Sequence, residues 1–316
     1  MSTKQQQEQD SHSLSYYTLD VFTTTLFAGN QLAVIHVPFS PSTSPVPQEV
    51  RQLLAREFNY SETVVLYLPS SSSSLAHNDN IKIFLTDAEI PLAGHPVIGT
   101  AAHLFSRILP SSATKAVLRT KAGRCELRRT ARGFAAQMPF ALHLHRPVFS
   151  QAQLVAQQPR LRGVEGVEID TLSLVKGMTF VYVRLPSLEA LGDVMLFGRP
   201  LSASVLDEGW NEGVLFMIFY VFLPSEENVV KLRTRMIEGT FEDPATGSAS
   251  CGLASLLAMK EGLEGDRTKM FEFTQAVEMG RRSDIGVAVG VEGGEIRSLE
   301  LSGNAVEVME GKVRWK

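Results

Sequence analysis

An α+β fold with mixed sheets is predicted by three features of the sequence. Strand-like segments, alternating or briefly all apolar, run from one end of the chain to the other between turns rich in Gly, Ser and Pro. Two segments read as buried helices, one in each half, because small and apolar residues surround them on nearly all sides. Strands and helices do not follow each other in a regular series, so a βαβ-type parallel sheet is not expected.

In order, residues 1 to 13 are polar and Gln-rich and are expected to form a disordered tail. Tyr16 to Phe22 and Gln31 to Val37 are strands joined by a turn at Thr23 to Asn30. Ser40 to Pro47 is a Ser/Pro loop. Gln48 to Phe58 carries Val50, Leu53, Leu54 and Phe58 at helical spacing. Ser61 to Leu68 is a strand, Ser70 to Ser74 a flexible loop and Ile81 to Leu85 a strand. The first buried helix starts at His95 and runs to about Ile108. Three short strands follow, Ala116 to Thr120, Cys125 to Thr130 and Phe134 to Met138, with tight turns at Ala122-Gly123 and Arg132-Gly133. Ala141 to Gly163 connects the halves and includes a helix from Ser150. Thr171 to Leu185, Gly213 to Leu223 and Arg233 to Ile237 are strands of the second half. Phe271 to Gln275, Asp284 to Val291, Glu295 to Ser302 and Ala305 to Glu310 are expected to close its sheet as a meander.

The two buried helices begin alike. One start is Glu242-Asp243-Pro244-Ala245-Thr246-Gly247-Ser248-Ala249; the other is Glu89-Ile90-Pro91-Leu92-Ala93-Gly94-His95-Pro96. Asp243 is a good N-cap and Pro244 suits the first helical position. Small residues in the first turn let a ligand reach free backbone N–H groups, a place for a carboxylate or phosphate. Two such starts suggest a duplicated unit with a site at the junction.

Composition narrows the function. At 44% hydrophobic and 20% charged, 316 residues have ample core for one large or two medium domains. A net charge of −4 without a basic cluster argues against nucleic-acid binding. The apolar run Val214 to Leu223 is about half the length a membrane helix needs and reads as a buried strand, so no membrane is expected. Cys125 and Cys251 have no metal-type spacing and suit a reduced, cytoplasmic protein. The N-terminus shows no apolar signal core. His143 and His145 alternate on a Pro-bounded stretch with no Cys or acid beside them, so no metal site is expected. Walker and Rossmann glycine patterns are absent from the sequence.

Five segments, in order, carry a resemblance: Leu19-Asp20-Val21-Phe22 with Gly29-Asn30, Asn59-Tyr60-Ser61-Glu62-Thr63, Ala93-Gly94-His95-Pro96, Asp243 to Ala249, and Met279-Gly280-Arg281-Arg282-Ser283. Over roughly residues 15 to 312 the chain resembles the PhzF-like (phenazine biosynthesis F) isomerases, which share the diaminopimelate epimerase fold. The resemblance implies two pseudo-symmetric lobes, each a curled, mixed, mostly antiparallel sheet around a central buried helix. Residues 14–140 would form the first lobe, completed by about 311–316, and 141–310 the second. It also implies a homodimer and no cofactor.

Glu62, read alone, is better explained as a solvated carboxylate at a strand start. The resemblance makes it the catalytic acid/base, a task that partial burial serves by raising its pKa. His95, between Gly94 and Pro96, reads as a turn residue or a substrate contact, and the resemblance favours the contact. The helix dipole is expected to keep it neutral. Asp243 completes the catalytic set by orienting substrate and donors; as a cap it is expected to stay ionised, a poor acid near neutrality. Gly94, Gly247 and Ser248 are expected to donate to a substrate carboxylate. Asn30 and Ser61 either line the pocket or shape turns. The wider fold uses two cysteines, one at each helix start; Ala93 and Pro244 occupy those positions here, so a two-thiol mechanism is unavailable. Gln31 stands where the family usually has Pro, and Tyr60 and Val65 also depart from the usual neighbours of Glu62.

The sequence thus predicts a cofactor-independent isomerase that moves a proton on a small carboxylate-bearing metabolite. Its rival is a metabolite-binding or protein-interaction module on the same fold. Racemisation by paired acid/base groups would need a second titratable group opposite Glu62.

Overall fold

The structure is a computed structural model that describes residues 13–39, 46–69, 81–197, 201–226 and 228–315. The expected tail through residue 12, positions 40–45 of the Ser/Pro loop and the Ser70 to Ser74 loop lie outside the described residues. The fold is mixed α+β and dominated by sheet. Its strands are β1 (Ser13–Val21), β2 (Asn30–Phe39), β3 (Glu62–Pro69), β4 (Ile81–Phe84), β5 (Glu89–Ile90) and β6 (Lys115–Thr120). β7 (Gly123–Thr130), β8 (Gly133–Gln137), β9 (His143–Leu144), β10 (Glu168–Val175), β11 (Met178–Arg184) and β12 (Val214–Phe222) follow. The last are β13 (Val229–Glu238), β14 (Phe241–Asp243), β15 (Arg267–Gln275), β16 (Ser283–Glu292), β17 (Glu295–Gly303) and β18 (Ala305–Arg314). The α-helices are α1 (Gln48–Phe58), α2 (Gly94–His103), α3 (Gln151–Gln157), α4 (Leu188–Gly192) and α5 (Gly247–Glu261).

Among the described residues the strands form two sheets. One is ordered β18-β1-β2-β3-β4-β5; the other runs β6-β7-β8-β17-β16-β15-β13-β12-β11-β10-β9, with β14 on β13. Both are mixed and mostly antiparallel, with parallel pairs at β2–β3, β11–β12 and β13–β15. Sheet membership does not follow chain order. Strands β6 to β8 join the second sheet through β8–β17.

The segment expected to end the meander, Ala305 to Glu310, instead crosses to the first sheet as β18 and pairs with β1. The reason lies at the crossing. The Phe22 amide donates to the Asn304 carbonyl at 2.7 Å, and Gly303 lies against the Phe22 ring, where a side chain would not fit. Neither contact is visible in the local pattern.

Each sheet has a buried helix on one face and further helix on the other, α1 on the first sheet and α3 with α4 on the second. In β2 and β3, Val34 and Val64 face the main core around α2, while their neighbours Ile35 and Val65 pack with Leu54 and Ala55 of α1. In β11 and β12, Phe180, Tyr182, Ile218 and Tyr220 face the core around α5. Val181, Val183, Met217 and Phe219 face Ala190 and Leu191 of α4. Burial on both faces explains why β12 is an unbroken apolar run. Helix α5 is buried from Gly247 to Ala258, as its all-round apolar surface requires. The helix expected to Ile108 does reach it, but changes at Leu104 to π geometry, the Leu109 amide donating to Leu104 O.

Candidate active site

The two central helices meet end to end. A Cβ on Gly94, the first residue of α2, would lie 2.6 Å from Gly247 Cα and 2.7 Å from Ser248 N. Only glycine permits so close a backbone approach. First-turn N–H groups have no intrahelical acceptor, and each helix start carries roughly half a positive charge. Their meeting turns two sets of free N–H donors toward one corner, a place suited to an anionic group.

The acid-Pro start of α5 differs from expectation. Asp243 ends β14 and is not the N-cap; Thr246 is, without a side-chain cap bond, and Pro244 precedes the helix. Asp243 is drawn away because its carboxylate has better partners. Oδ1 accepts from Asn30 Nδ2 at 2.7 Å and Oδ2 from Thr246 Oγ1 at 2.5 Å. Gln275 Nε2 donates to the Asp243 carbonyl at 2.8 Å, while Gln275 Oε1 accepts from the Thr246 amide.

Asn30, the first residue of β2, joins the two helix starts. Its Nδ2 also lies 3.0 Å from Ala245 O and 3.2 Å from His95 Nδ1. Its Oδ1 accepts from Ser61 Oγ at 3.1 Å. Asn59, left-handed at φ 52°, ends α1 and turns the chain so that β3 opens at Glu62. The motif from Asn59 to Glu62 thus has one residue for the turn and two for the site.

Glu62 and His95 face each other. Glu62 Oε2 lies 3.7 Å from His95 Nε2, with the side chains 12% and 2% exposed. Both atoms are buried and, among the described residues, neither has a hydrogen-bond partner. A buried polar atom left so costs about 1–3 kcal/mol, a cost that a third polar atom placed between the two would remove. Burial pushes the Glu62 carboxyl up from its usual range, Asp243 adds to the rise, and the Ser61 hydroxyl opposes it. Glu238, at the end of β13, pushes it up further. Burial lowers His95 to about 3, against an opposing contact with the Gln31 backbone, so it is neutral.

Asp243 is not the ordinary ionised cap foreseen. Burial raises its pKa too, against the opposing hydrogen bonds from Thr246, Asn30 and the Ala245 backbone. Ser248, Gly94 and Gly247 are buried at the junction.

Several residues of the site carried no assigned role in the sequence. Thr246 and Gln275 fix Asp243; Gln275 sits in an ordinary strand pattern and gave no signal. Arg281, from the late motif, donates to the carbonyls of Phe27, Ala28 and Gly29 and to Asp20 Oδ1 at 2.9 Å. Asp20 Oδ2 in turn accepts from the Phe27 amide. The first and last motifs thus clamp the turn that delivers Asn30. Gly29 is held at φ 66° against Val21 O, where a side chain would collide. Away from this site, one group among the described residues has metal-ligand composition: His143, His145 and Asp207.

Known proteins match the chain over almost its whole length. An uncharacterized isomerase of Mesorhizobium japonicum is 32% identical over 95% of this chain and 98% of its own. The trans-2,3-dihydro-3-hydroxyanthranilate isomerase of Pseudomonas fluorescens is 27% identical over 95% and 99%. In three dimensions, a PhzF-family phenazine biosynthesis protein from Bacillus anthracis superposes with a TM-score of 0.74 at 19% identity, covering 95% of this chain and 99% of that one. With these relatives, the chain is an enzyme of the isomerase class. The family model for phenazine biosynthesis-like proteins matches residues 19–311, and the chain belongs to that family. Among the described residues, no helix is long and apolar enough to cross a membrane.

Proposed function

We propose that this isomerase works without a cofactor, moving a proton between two carbons of a small carboxylate-bearing substrate with Glu62 as the acid/base. The observation that carries this reading is the facing pair of unpartnered buried atoms, Glu62 Oε2 and His95 Nε2, beside two converging helix starts. Glu62 and Asp243 both have raised pKa values, and hydrogen bonding separates their roles. Each Asp243 oxygen already accepts a bond, from Asn30 and Thr246. Glu62 Oε2 accepts none. Glu62 is therefore the carboxyl free to exchange a proton with carbon, and Asp243 holds the frame.

In the reaction, Glu62 as carboxylate takes a proton from one carbon, and the C–H electron pair moves into an enol-type system. Glu62 then returns the proton to another carbon, with no net oxidation or reduction. The first-turn N–H groups of α2 and α5 hold the substrate carboxylate and the charge that develops. His95, neutral, contacts the reacting region. The dihydro-hydroxyanthranilate relative fits this chemistry, a carboxylate-bearing compound undergoing a proton shift, but fold and motifs do not transfer a substrate. A homodimer remains part of the proposal on the resemblance alone.

The test is solvent exchange in heavy water, followed by NMR over a panel of small carboxylic acids and a cell extract. Deuterium is expected to enter one compound at carbon with wild type and not with Glu62→Gln. Exchange that survives Glu62→Gln would remove Glu62 from the role. Absence of exchange, with small ligands bound equally by both proteins, would favour the binding-module reading.

A further inference from the structure

We propose that His143, His145 and Asp207 form a binding site for a divalent transition metal of the zinc type, separate from the Glu62 pocket. The sequence hid it, because the acid comes from 62 residues beyond His145. His143 and His145 are two apart on extended backbone at β9, so their side chains leave the same face. The segment before β12 brings Asp207 onto that face.

The geometry is that of a ligand set. Asp207 Oδ2 lies 2.9 Å from His143 Nε2 and 3.5 Å from His145 Nδ1. The three ligand atoms lie within 4.8 Å of one another. Tetrahedral zinc, with bonds of about 2.0–2.2 Å to nitrogen and oxygen, sets ligand atoms roughly 3.3 Å apart. Two neutral imidazoles and one carboxylate suit zinc and its neighbours, and three protein ligands leave a fourth position for water.

Each ligand is also held from behind, as metal ligands usually are. His145 is buried, and its Nε2 is engaged at 2.8 Å with Ser173 Oγ, which lies 2.5 Å from Thr179 Oγ1. That contact turns Nδ1 toward Asp207. Arg146 Nε donates to Asp207 Oδ1 at 3.1 Å and leaves Oδ2 to face both imidazoles. The His143 ring stacks on Trp210, centroids 4.6 Å apart and planes 8° from parallel. The competitor at His145 Nδ1 is the Asp207 amide, at a long 3.3 Å, and a metal would displace it. An ion pair alone would account for His143 and Asp207. The Asp207 amide bond would account for His145; what a ligand set adds is that two imidazoles, one of them buried and anchored through its far nitrogen, lie within 3.5 Å of one carboxylate oxygen.

A bound ion would staple β9 to the segment before β12. The experiment titrates the chelator-treated full chain with Zn²⁺ by calorimetry and with Co²⁺ by visible absorption. Wild type is expected to bind one equivalent, to give the visible bands of low-coordinate Co²⁺ and to melt at higher temperature in Zn²⁺. His143→Gln and Asp207→Asn are expected to weaken binding by at least about tenfold, and Ser173→Ala by about 10–100-fold without removing a ligand. Should metal-free Asp207→Asn prove poorly folded by circular dichroism, the partly exposed His143→Gln decides. Glu62→Gln is expected to bind as wild type does. Absence of saturable binding by wild type, or binding unchanged by His143→Gln, would overturn the proposal and leave an ion pair only.

Discussion

At the start of α2, His95 Nε2 and the facing Glu62 Oε2 have no hydrogen-bond partner among the described residues. At the start of α5, both carboxylate oxygens and the carbonyl of Asp243 are met by Asn30, Thr246 and Gln275. The two ends share an acid-Pro-small design and touch through Gly94 and Gly247, yet one is left open and the other is saturated. Unmet polar groups cost stability and are kept where a substrate will meet them; saturated ones build the frame that holds them in place. The proposed function accordingly puts proton transfer at the first end and orientation at the second.

The largest effect that would break this contrast is at Glu62. Glu62→Gln is expected to lower turnover by about 10²–10⁴-fold while the melting temperature holds or rises, because a buried carboxyl beside Asp243 is removed. Equal losses of activity and stability would mean that Glu62 is part of the frame.

Gly94→Ala should come next, since its Cβ meets backbone on the facing helix, which cannot move aside. A cost of about 1–3 kcal/mol is expected by denaturant unfolding, with turnover reduced. Gly247→Ala should cost less, because its nearest obstacle is the Leu301 side chain at 2.9 Å, which can shift. The reverse order would show that the backbone facing Gly94 yields, while Leu301 and the Gly94 backbone at 3.1 Å hold firm against Gly247.

Thr246→Val sharpens the other side of the comparison. It removes the hydroxyl donor to Asp243 Oδ2, and unfolding should record a loss of about 1–3 kcal/mol with the chemical step affected less than by Glu62→Gln. Turnover abolished at unchanged stability would place Asp243 among the proton-transfer groups.

The pH dependence of stability tests the burial on which the contrast rests. Glu62 has a raised pKa in the folded chain, so the folded state binds more protons than the unfolded one. Its contribution is fully present below the ordinary glutamate value of about 4.3 and is lost as pH rises through the raised value. The stability gained by Glu62→Gln should therefore grow between pH 5 and 8. His95 has the opposite sign: lowered to about 3, it contributes stability above its ordinary value of about 6.5 that is lost as pH falls toward 3. Thermal melts of wild type and Glu62→Gln across this range check the first sign. A difference that does not change with pH would mean that Glu62 is not held protonated by burial.

Much of the fold was legible because local pattern decides it. Helix α1 runs from Gln48 to Phe58 as its apolar spacing foretold, and β12 was readable as a buried strand from one apolar run. The capping box at Ser150, with Gln153 three residues on, sets the start of α3. Where β18 pairs was not legible, because the choice rests on Phe22 meeting Gly303 and Asn304 across almost the whole chain. The same limit separates Asp243 from the helix cap it resembles.

What the sequence determined by itself was most of the longer elements, the two buried helices and the short motifs that mark Asn30, Glu62, His95 and Asp243; the short β5, β9, β14 and α4 were not foreseen. Propensity, periodicity and turn chemistry act over a few residues, and these features lie within that reach. The tertiary structure alone decided which polar atoms are met and which are left open. It set Gln275 under Asp243, clamped Arg281 onto the turn before Asn30 and carried Asp207 to His143 and His145. Burial, which raises Glu62 and keeps His95 neutral, is likewise a property of the whole packing: the loss of water around a group depends on every neighbour that displaces it.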